Sequence, residues 1–149
     1  MKNIKYPPYP VPAATALVCR KGKLLLIKRK FEPGAGKWSL PGGKVEMGEK
    51  AAATAAREIM EECGVEIKVL KLLDLFDTIL YDRNGRVLYH YLIMAYMAEY
   101  VSGTPQNSPE TLDVRWVPLD EANNYDLTDN AQKAIATFAR MTDCPDTVT

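Results

Sequence analysis

Runs of apolar residues, separated by turn signals, divide most of the chain into short strands. Arg20-Lys21-Gly22 separates the first two runs, and Asn84-Gly85 is a dipeptide that strongly favours a tight hairpin. Leu24 to Ile27 is apolar on both faces, as expected of a strand that is covered on both sides. The run from 87 to 98 is similar and should lie centrally in the sheet. The pattern predicts five strands, at residues 13–19, 23–30, 66–76, 87–98 and 112–119.

Two other segments have the character of helices. An alanine-rich run follows Gly48, which we predict as the helix N-cap, and Gly64 is the kind of residue that ends a helix. A second helix is predicted over 128–140, with Thr128 as its N-cap and one apolar stripe facing the core. This order of elements predicts a single α/β domain over residues 1–149, an α/β/α sandwich with a mixed β-sheet between helices.

The two ends of the chain show no such pattern. Residues 1–12 form a leader rich in tyrosine and proline, which we predict to be extended because proline excludes helices and central strands. Most such leaders drape over the surface. The alternative is an arm whose tyrosines cover the active site or a partner subunit. Residues 142–149 are predicted to form a loose tail.

Composition excludes several classes of function. With 47% hydrophobic and 26% charged residues the chain has the composition of an ordinary globular protein. Its formal net charge of zero does not indicate binding to a nucleic acid polymer. No apolar run approaches the roughly 18 residues of a membrane span, and no apolar segment follows the first lysines. We therefore expect no membrane partner and a cytoplasmic protein. The three cysteines have no metal-binding spacing, and reduced thiols are the simplest interpretation.

The segment from 43 to 65 carries the candidate chemistry. Glu58, Glu61 and Glu62 stand at i, i+3 and i+4, so they share one face of the predicted helix. Like charges at this spacing cost roughly 0.2–0.5 kcal/mol per pair, and the helix C-terminus disfavours each anion by about 0.3–1 kcal/mol. A solvated acidic face is the ordinary interpretation. A hard divalent cation such as Mg²⁺ or Mn²⁺ would remove both penalties.

The same segment resembles the Nudix box, in which Gly, five residues, Glu, seven residues and Arg-Glu-aliphatic-x-Glu-Glu-x-Gly-aliphatic follow one another. All nine specified positions match, namely Gly43, Glu49, Arg57, Glu58, Ile59, Glu61, Glu62, Gly64 and Val65. The resemblance implies the α/β/α fold and hydrolysis of a nucleoside diphosphate linked to another group, at its pyrophosphate. We therefore expect a small nucleotide substrate and Mg²⁺, with Mn²⁺ as the alternative.

The resemblance also implies roles for individual residues. Arg57 is expected to orient Glu58 by ion pairing, and Glu49 is expected to orient the box rather than bind a metal. The metal ligands implied by the resemblance are Glu58, Glu61, Glu62 and the backbone carbonyl of Gly42.

The general base and the substrate contacts have alternatives. The base is either Glu58 or an acid on a later loop, where Glu110 is the best placed, with Asp113 behind it. Arg29 is a candidate for gripping a phosphate in bidentate fashion, and ordinary solvated charge is the alternative. Trp38 is a candidate for stacking on a base, although packing is the more frequent role for a tryptophan beside an apolar neighbour.

The chain is similar to the ADP-ribose pyrophosphatase-like branch of the family, partly through Tyr89-His90-Tyr91. ADP-ribose, which would give AMP and ribose 5-phosphate, is therefore the expected substrate. The alternative is a nucleoside triphosphate, including oxidised dGTP, which would give a nucleoside monophosphate and pyrophosphate. A non-catalytic nucleotide sensor is a third alternative, but such modules often lose box carboxylates that this chain keeps. A homodimer is an alternative to a monomer.

Overall fold

The computed structural model describes residues 4–141, so the predicted tail at 142–149 lies outside the described residues. Within this range the two α-helices are α1 (Ala51–Cys63) and α2 (Asp129–Met141), and Leu119–Asn124 forms a short 3₁₀ helix. The strands are β1 (Val11–Arg20), β2 (Lys23–Arg29), β3 (Trp38–Ser39), β4 (Gly42–Lys44), β5 (Glu66–Tyr81), β6 (Val87–Ser102) and β7 (Thr111–Pro118).

The strands form one mixed sheet with the path β3-β2-β1-β6-β5, while β4 pairs with β1 and β7 pairs with β2. β1 and β6 run parallel, and the other pairs are antiparallel. β6 therefore lies inside the sheet between β1 and β5, as its apolar pattern predicts. β5 continues five residues beyond the predicted end at Phe76, because the Asn84-Gly85 turn lets it pair with β6 as far as Tyr81.

A helix covers each face of the sheet, so the predicted α/β/α sandwich is confirmed. Leu24 and Leu26 of β2 pack in the cluster under α2, whereas Leu25 and Ile27 pack in the cluster under α1. All four side chains are at most 4% exposed. The run from Leu24 to Ile27 is therefore apolar on both faces because both faces are covered.

The ends of α1 confirm one prediction and correct another. Gly64 ends the helix with a φ of 72°, and its N–H donates to the Met60 carbonyl at 2.9 Å, as predicted. The N-cap is Lys50, so the prediction of Gly48 is wrong. Gly48 instead has a φ of 81° in a turn closed by the Glu49 N–H, which donates to the Glu46 carbonyl, and the helix begins only after this turn.

α2 follows its prediction closely. The Thr128 hydroxyl accepts a hydrogen bond from the Ala131 N–H at 3.3 Å, which confirms Thr128 as the N-cap. The buried stripe of this helix consists of Ala131, Ala134, Ile135 and Phe138.

Two observations bear on the environment expected for the protein. In the part of the chain that the structure describes, neither helix is long and apolar enough to cross a membrane. Cys19 is disulfide-bonded, so the expectation of reduced thiols is wrong for this residue. Cys63, the last residue of α1, is by contrast a buried free thiol.

Candidate active site

Two glycines bring the box helix against the sheet. β4 pairs with β1, and a Cβ at Gly42 would collide with the carbonyl oxygen of Ala14 and the backbone of Thr15. A Cβ at Gly43 would collide with the carboxyl group of Glu58. A larger residue at Gly42 would push β4 away from β1, and one at Gly43 would displace the Glu58 carboxyl group, so the two glycines allow that carboxylate to approach the backbone of β4 closely.

Glu62 is the most deeply buried acidic group of the box, with an exposed fraction of 3%. Its Oε1 accepts a hydrogen bond from the Gly42 N–H at 2.8 Å. Burial raises the pKa of Glu62 from 4.5 to about 7, and the nearby Glu58 and Glu110 add to this effect, while the Gly42 N–H opposes it. Because burial destabilises the ionised form of a carboxylate, a cation bound beside Glu62 would be stabilising.

Arg57 organises the other carboxylates. Its Nε and Nη2 donate to the two oxygens of Glu49 at 2.7 and 3.0 Å, a bidentate pair. Its Nη1 lies 3.0 Å from Glu58 Oε1 and 3.2 Å from Glu61 Oε2. The Arg57 hydrogen bond lowers the pKa of Glu49 to about 2, and that same contact raises the pKa of Arg57. Arg57 therefore contacts Glu58 as the box resemblance implies.

The box has the donor chemistry of a hard-cation site. Glu58 is largely buried, and burial raises its pKa even though Arg57 opposes the shift. Glu58, Glu62 and the Gly42 backbone supply only oxygen donors, which suit a divalent cation such as Mg²⁺. Glu61 points differently: its side chain is 59% exposed and bonded to Arg57. Across residues 4–141 no three acidic, His or Cys side chains are already grouped as a metal centre, so the ligand set stays a prediction.

A cavity of about 400 Å³ opens beside the box. One part of its lining, which we call the box wall, consists of Gly42, Gly43 and Glu62. A second part, which we call the side wall, consists of Thr78 on β5, Tyr91 on β6 and Asn130 on α2. The volume lies in the usual range for small-molecule sites.

Arg29 lies in the lining of this cavity, as a phosphate-binding role requires. Its Nε donates to the Pro33 carbonyl at 2.7 Å, which fixes the orientation of the guanidinium group. Burial lowers the pKa of Arg29, and the charge of Glu62 opposes this shift. The side chain therefore places a positive charge near the buried carboxylate of the box wall.

Glu110 lies where a loop acid could act on the same site. It lines the cavity, and its charge raises the pKa of both Glu58 and Glu62. The loop before it is held by Lys30, whose Nζ donates to the Pro109 carbonyl at 3.0 Å. Asp113, the other acid considered, is absent from the cavity lining and pairs with Arg115 at 2.9 Å.

The structure contradicts the prediction that Trp38 binds substrate. Its side chain is 7% exposed and belongs to the core cluster under α2. The ring packs edge-on against Tyr125, with 5.2 Å between the centroids, and the residue is not part of the cavity lining. The 3₁₀ helix and α2 cover this edge of the sheet, so Trp38 packs in the core instead.

Sequence reasoning missed two members of the side wall, Thr78 and Asn130. The Asn130 Nδ2 donates to the Thr78 Oγ1 at 2.8 Å, a contact between residues 52 positions apart. No motif or spacing links these residues, because the contact depends on how α2 packs on β5. Lys30, Lys37 and Lys133 also line the cavity, where they add positive charge.

Comparison with known proteins gives consistent results. Residues 9–138 match the family described as the NUDIX domain. The chain is 34% identical over 111 residues to the ADP-ribose pyrophosphatase of Methanocaldococcus jannaschii, covering 74% of this chain and 66% of that protein, just under two thirds. It is 30% identical over 118 residues to the oxidized purine nucleoside triphosphate hydrolase of Mus musculus, covering 74% and 68%.

Solved structures agree with these sequence matches. The MutT NUDIX hydrolase from Burkholderia pseudomallei superposes with a TM-score of 0.73 and 34% identity. The match covers 87% of this chain and 98% of that one.

Proposed function

The chain belongs to the NUDIX domain family, and we propose that it is a metal-dependent hydrolase that cleaves a pyrophosphate bond in a nucleotide. Its substrate class is a nucleoside diphosphate linked to another group. The observation that carries the proposal is the buried Glu62, which is bonded to the Gly42 N–H at 2.8 Å in the lining of a 400 Å³ cavity. The cationic Arg29 lines the same cavity, so a candidate phosphate-binding group and a candidate metal-binding group lie in one site.

Mg²⁺ is the proposed metal, with Mn²⁺ as the alternative. The proposed ligands are Glu58, Glu61, Glu62 and the Gly42 carbonyl, all of them oxygen donors. When bound, a divalent cation would neutralise charge on the phosphate oxygens and lower the pKa of water. Glu61 would have to exchange its present contact with Arg57 for the metal. Arg57 would keep Glu58 in position through the Nη1 contact at 3.0 Å.

The remaining residues supply binding and proton transfer. Arg29, fixed by the Pro33 carbonyl, would bind a substrate phosphate through its two Nη groups. Glu110 is the proposed general base, because it lines the cavity and its charge acts on both Glu58 and Glu62. Glu110 would accept a proton from the attacking water. The new bond joins the water oxygen to phosphorus, the bridging P–O bond breaks, and the two phosphates that it joined leave on different products.

ADP-ribose is the proposed substrate, with AMP and ribose 5-phosphate as products. The 34% identity to a protein named ADP-ribose pyrophosphatase supports this choice. The second candidate is an oxidised nucleoside triphosphate such as 8-oxo-dGTP, with a nucleoside monophosphate and pyrophosphate as products. It is favoured by the 30% identity to a protein named oxidized purine nucleoside triphosphate hydrolase.

Product release with Mg²⁺ should be measured across ADP-ribose, NADH, diadenosine polyphosphates, nucleoside triphosphates and 8-oxo-dGTP. We expect kcat/KM for ADP-ribose to lead by about a hundredfold, roughly 2.7 kcal/mol of transition-state binding. A lead of that size for 8-oxo-dGTP would establish the second candidate. If the protein binds ADP-ribose but hydrolyses none of these compounds, the proposed hydrolase activity is contradicted and a non-catalytic nucleotide sensor is supported.

A further inference from the structure

The N-terminal arm, residues 4–10, is fixed to the hairpin formed by β5 and β6. The Tyr6 N–H donates to the Leu88 carbonyl at 2.9 Å, and the Tyr6 hydroxyl donates to Asp82 Oδ2 at 2.7 Å. The guanidinium group of Arg86 lies 4.3 Å from the centroid of the Tyr6 ring. Backbone, hydroxyl and ring of one tyrosine therefore each make a separate contact with the hairpin.

The backbone of Tyr6 is held in an unusual conformation at this anchor. Its φ is 52°, in the left-handed region that non-glycine residues rarely adopt. Such a conformation persists only when its surroundings hold it, and it often marks a functional constraint. Tyr9 on the same arm differs, since it is 70% exposed. The arm is thus docked specifically at Tyr6.

The docked arm reaches the lining of the cavity. The backbone of Ile4, two residues before the anchor, hydrogen-bonds to the hydroxyl of Tyr91. Tyr91 is 4% exposed, stacks on Tyr89 with 6.5 Å between ring centroids, and belongs to the side wall. Arg29 lines the same cavity. The arm is therefore connected through one side chain to the neighbourhood of the proposed phosphate-binding arginine.

We propose that the N-terminal arm completes the substrate site by positioning Tyr91 beside Arg29. Tyr6 anchors the arm to Asp82 and Arg86, and Ile4 holds the hydroxyl of Tyr91 at the cavity wall. This proposal rests on the proposed function, because it takes the cavity as the nucleotide site. Tyr91 is a positioning residue for substrate binding, so its loss should weaken binding and leave the chemical step unchanged.

The test compares Tyr6→Ala, Tyr91→Phe and the double variant with wild type. We expect each single variant to raise KM about five- to tenfold while kcat stays within about twofold. The double variant should be no worse than the poorer single variant, because both changes break the same connection. Tyr9→Ala, on the exposed part of the arm, is the matched control and should leave KM unchanged.

Several results would overturn the proposal. An unchanged KM in both single variants would do so, as would additive effects in the double variant. A merely structural role would lower the melting temperature without changing the ratio of KM to kcat. Tyr6→Phe removes the hydroxyl alone, and it replaces Tyr6→Ala if that variant fails to fold. Tyr6→Phe should raise KM by a smaller factor than Tyr6→Ala, and an unchanged KM would contradict the proposed role of the arm.

The proposed function and the arm can fail separately. If wild type hydrolyses no nucleotide but binds ADP-ribose, the proposed function fails, and the arm is judged by the Kd for ADP-ribose. Tyr6→Ala should then raise that Kd about five- to tenfold, and an unchanged Kd would refute the proposal that the arm completes the substrate site. A wild-type protein that neither hydrolyses nor binds nucleotides would overturn both proposals.

Discussion

The two walls of the cavity are built in different ways. The box wall comes from one short stretch of chain and is organised by charge: Glu62 is buried at its centre, and Arg57 holds the neighbouring carboxylates. The side wall joins β5, β6 and α2 through hydrogen bonds between neutral groups, such as that from Asn130 to Thr78. We infer that the box wall sets the reaction and the side wall sets substrate recognition. Changes in the first should reduce kcat, and changes in the second should alter KM and substrate preference.

The largest expected effect is at the centre of the box wall. Glu62→Gln should lower kcat about a thousandfold, because it removes the buried negative charge proposed to bind the metal. The fold should remain, since the glutamine oxygen can still accept the Gly42 N–H. Steady-state kinetics and circular dichroism check both points. Glu121→Gln, at an exposed position, is the control, and normal turnover in Glu62→Gln would refute the assignment.

The next effect separates the two candidates for the general base. Glu110→Gln should lower kcat by about a hundredfold and change KM little, because the base acts only in the chemical step. Asp113→Asn is the control, since Asp113 is paired with Arg115 and should be dispensable. A loss in kcat of less than about tenfold in Glu110→Gln would assign the role to Glu58 instead.

A smaller effect is expected at the side wall. Thr78→Val keeps the shape of the side chain but removes the oxygen that accepts the Asn130 amide. Because one hydrogen bond contributes about 0.5–1.5 kcal/mol, the kcat/KM ratio between ADP-ribose and 8-oxo-dGTP should shift about two- to tenfold. The kcat for the preferred substrate should stay within about twofold. An equal loss of kcat/KM for every substrate would show that the side wall does not select between substrates. Thr104→Val, which changes an exposed loop residue, is the control.

The same contrast explains what could be read from the sequence. Glu58, Glu61 and Glu62 share a helix face by spacing alone, and Gly64 ends that helix through its own backbone freedom. Such features depend on nearby residues, so the box and the central strands were predictable. The side wall depends on contacts between distant elements, and no local pattern encodes the pairing of Thr78 with Asn130.

Two errors have the same physical origin. Gly48 was predicted as the N-cap from local preference, but Glu49 is drawn outside the helix by its pair with Arg57 and by Thr54, whose hydroxyl donates to it at 2.7 Å. Trp38 was considered for base stacking, but the packing of Tyr125 against it places the ring in the core. In both cases a tertiary contact decides the outcome: it overrides the local preference at Gly48, and at Trp38 it produces the packing role that the apolar neighbour favours.

The central claim is that Glu62 is a buried carboxylate that requires a cation. Burial raises its folded pKa from 4.5 to about 7, so the folded state holds the proton more tightly than the unfolded state. The contribution of this group to stability is therefore present below a pH of about 4.5 and is lost as the pH rises to about 7. Without metal, at a pH of about 8, wild type should be less stable than Glu62→Gln by on the order of 3 kcal/mol.

The most direct measurement is the melting temperature of wild type and Glu62→Gln at a pH of about 8, with EDTA and then with Mg²⁺. We predict that the variant melts higher than wild type in EDTA, and that Mg²⁺ raises the melting temperature of wild type but not of the variant. An equal effect of Mg²⁺ on both proteins, or no effect on either, would contradict the assignment of Glu62 as the centre of the metal site.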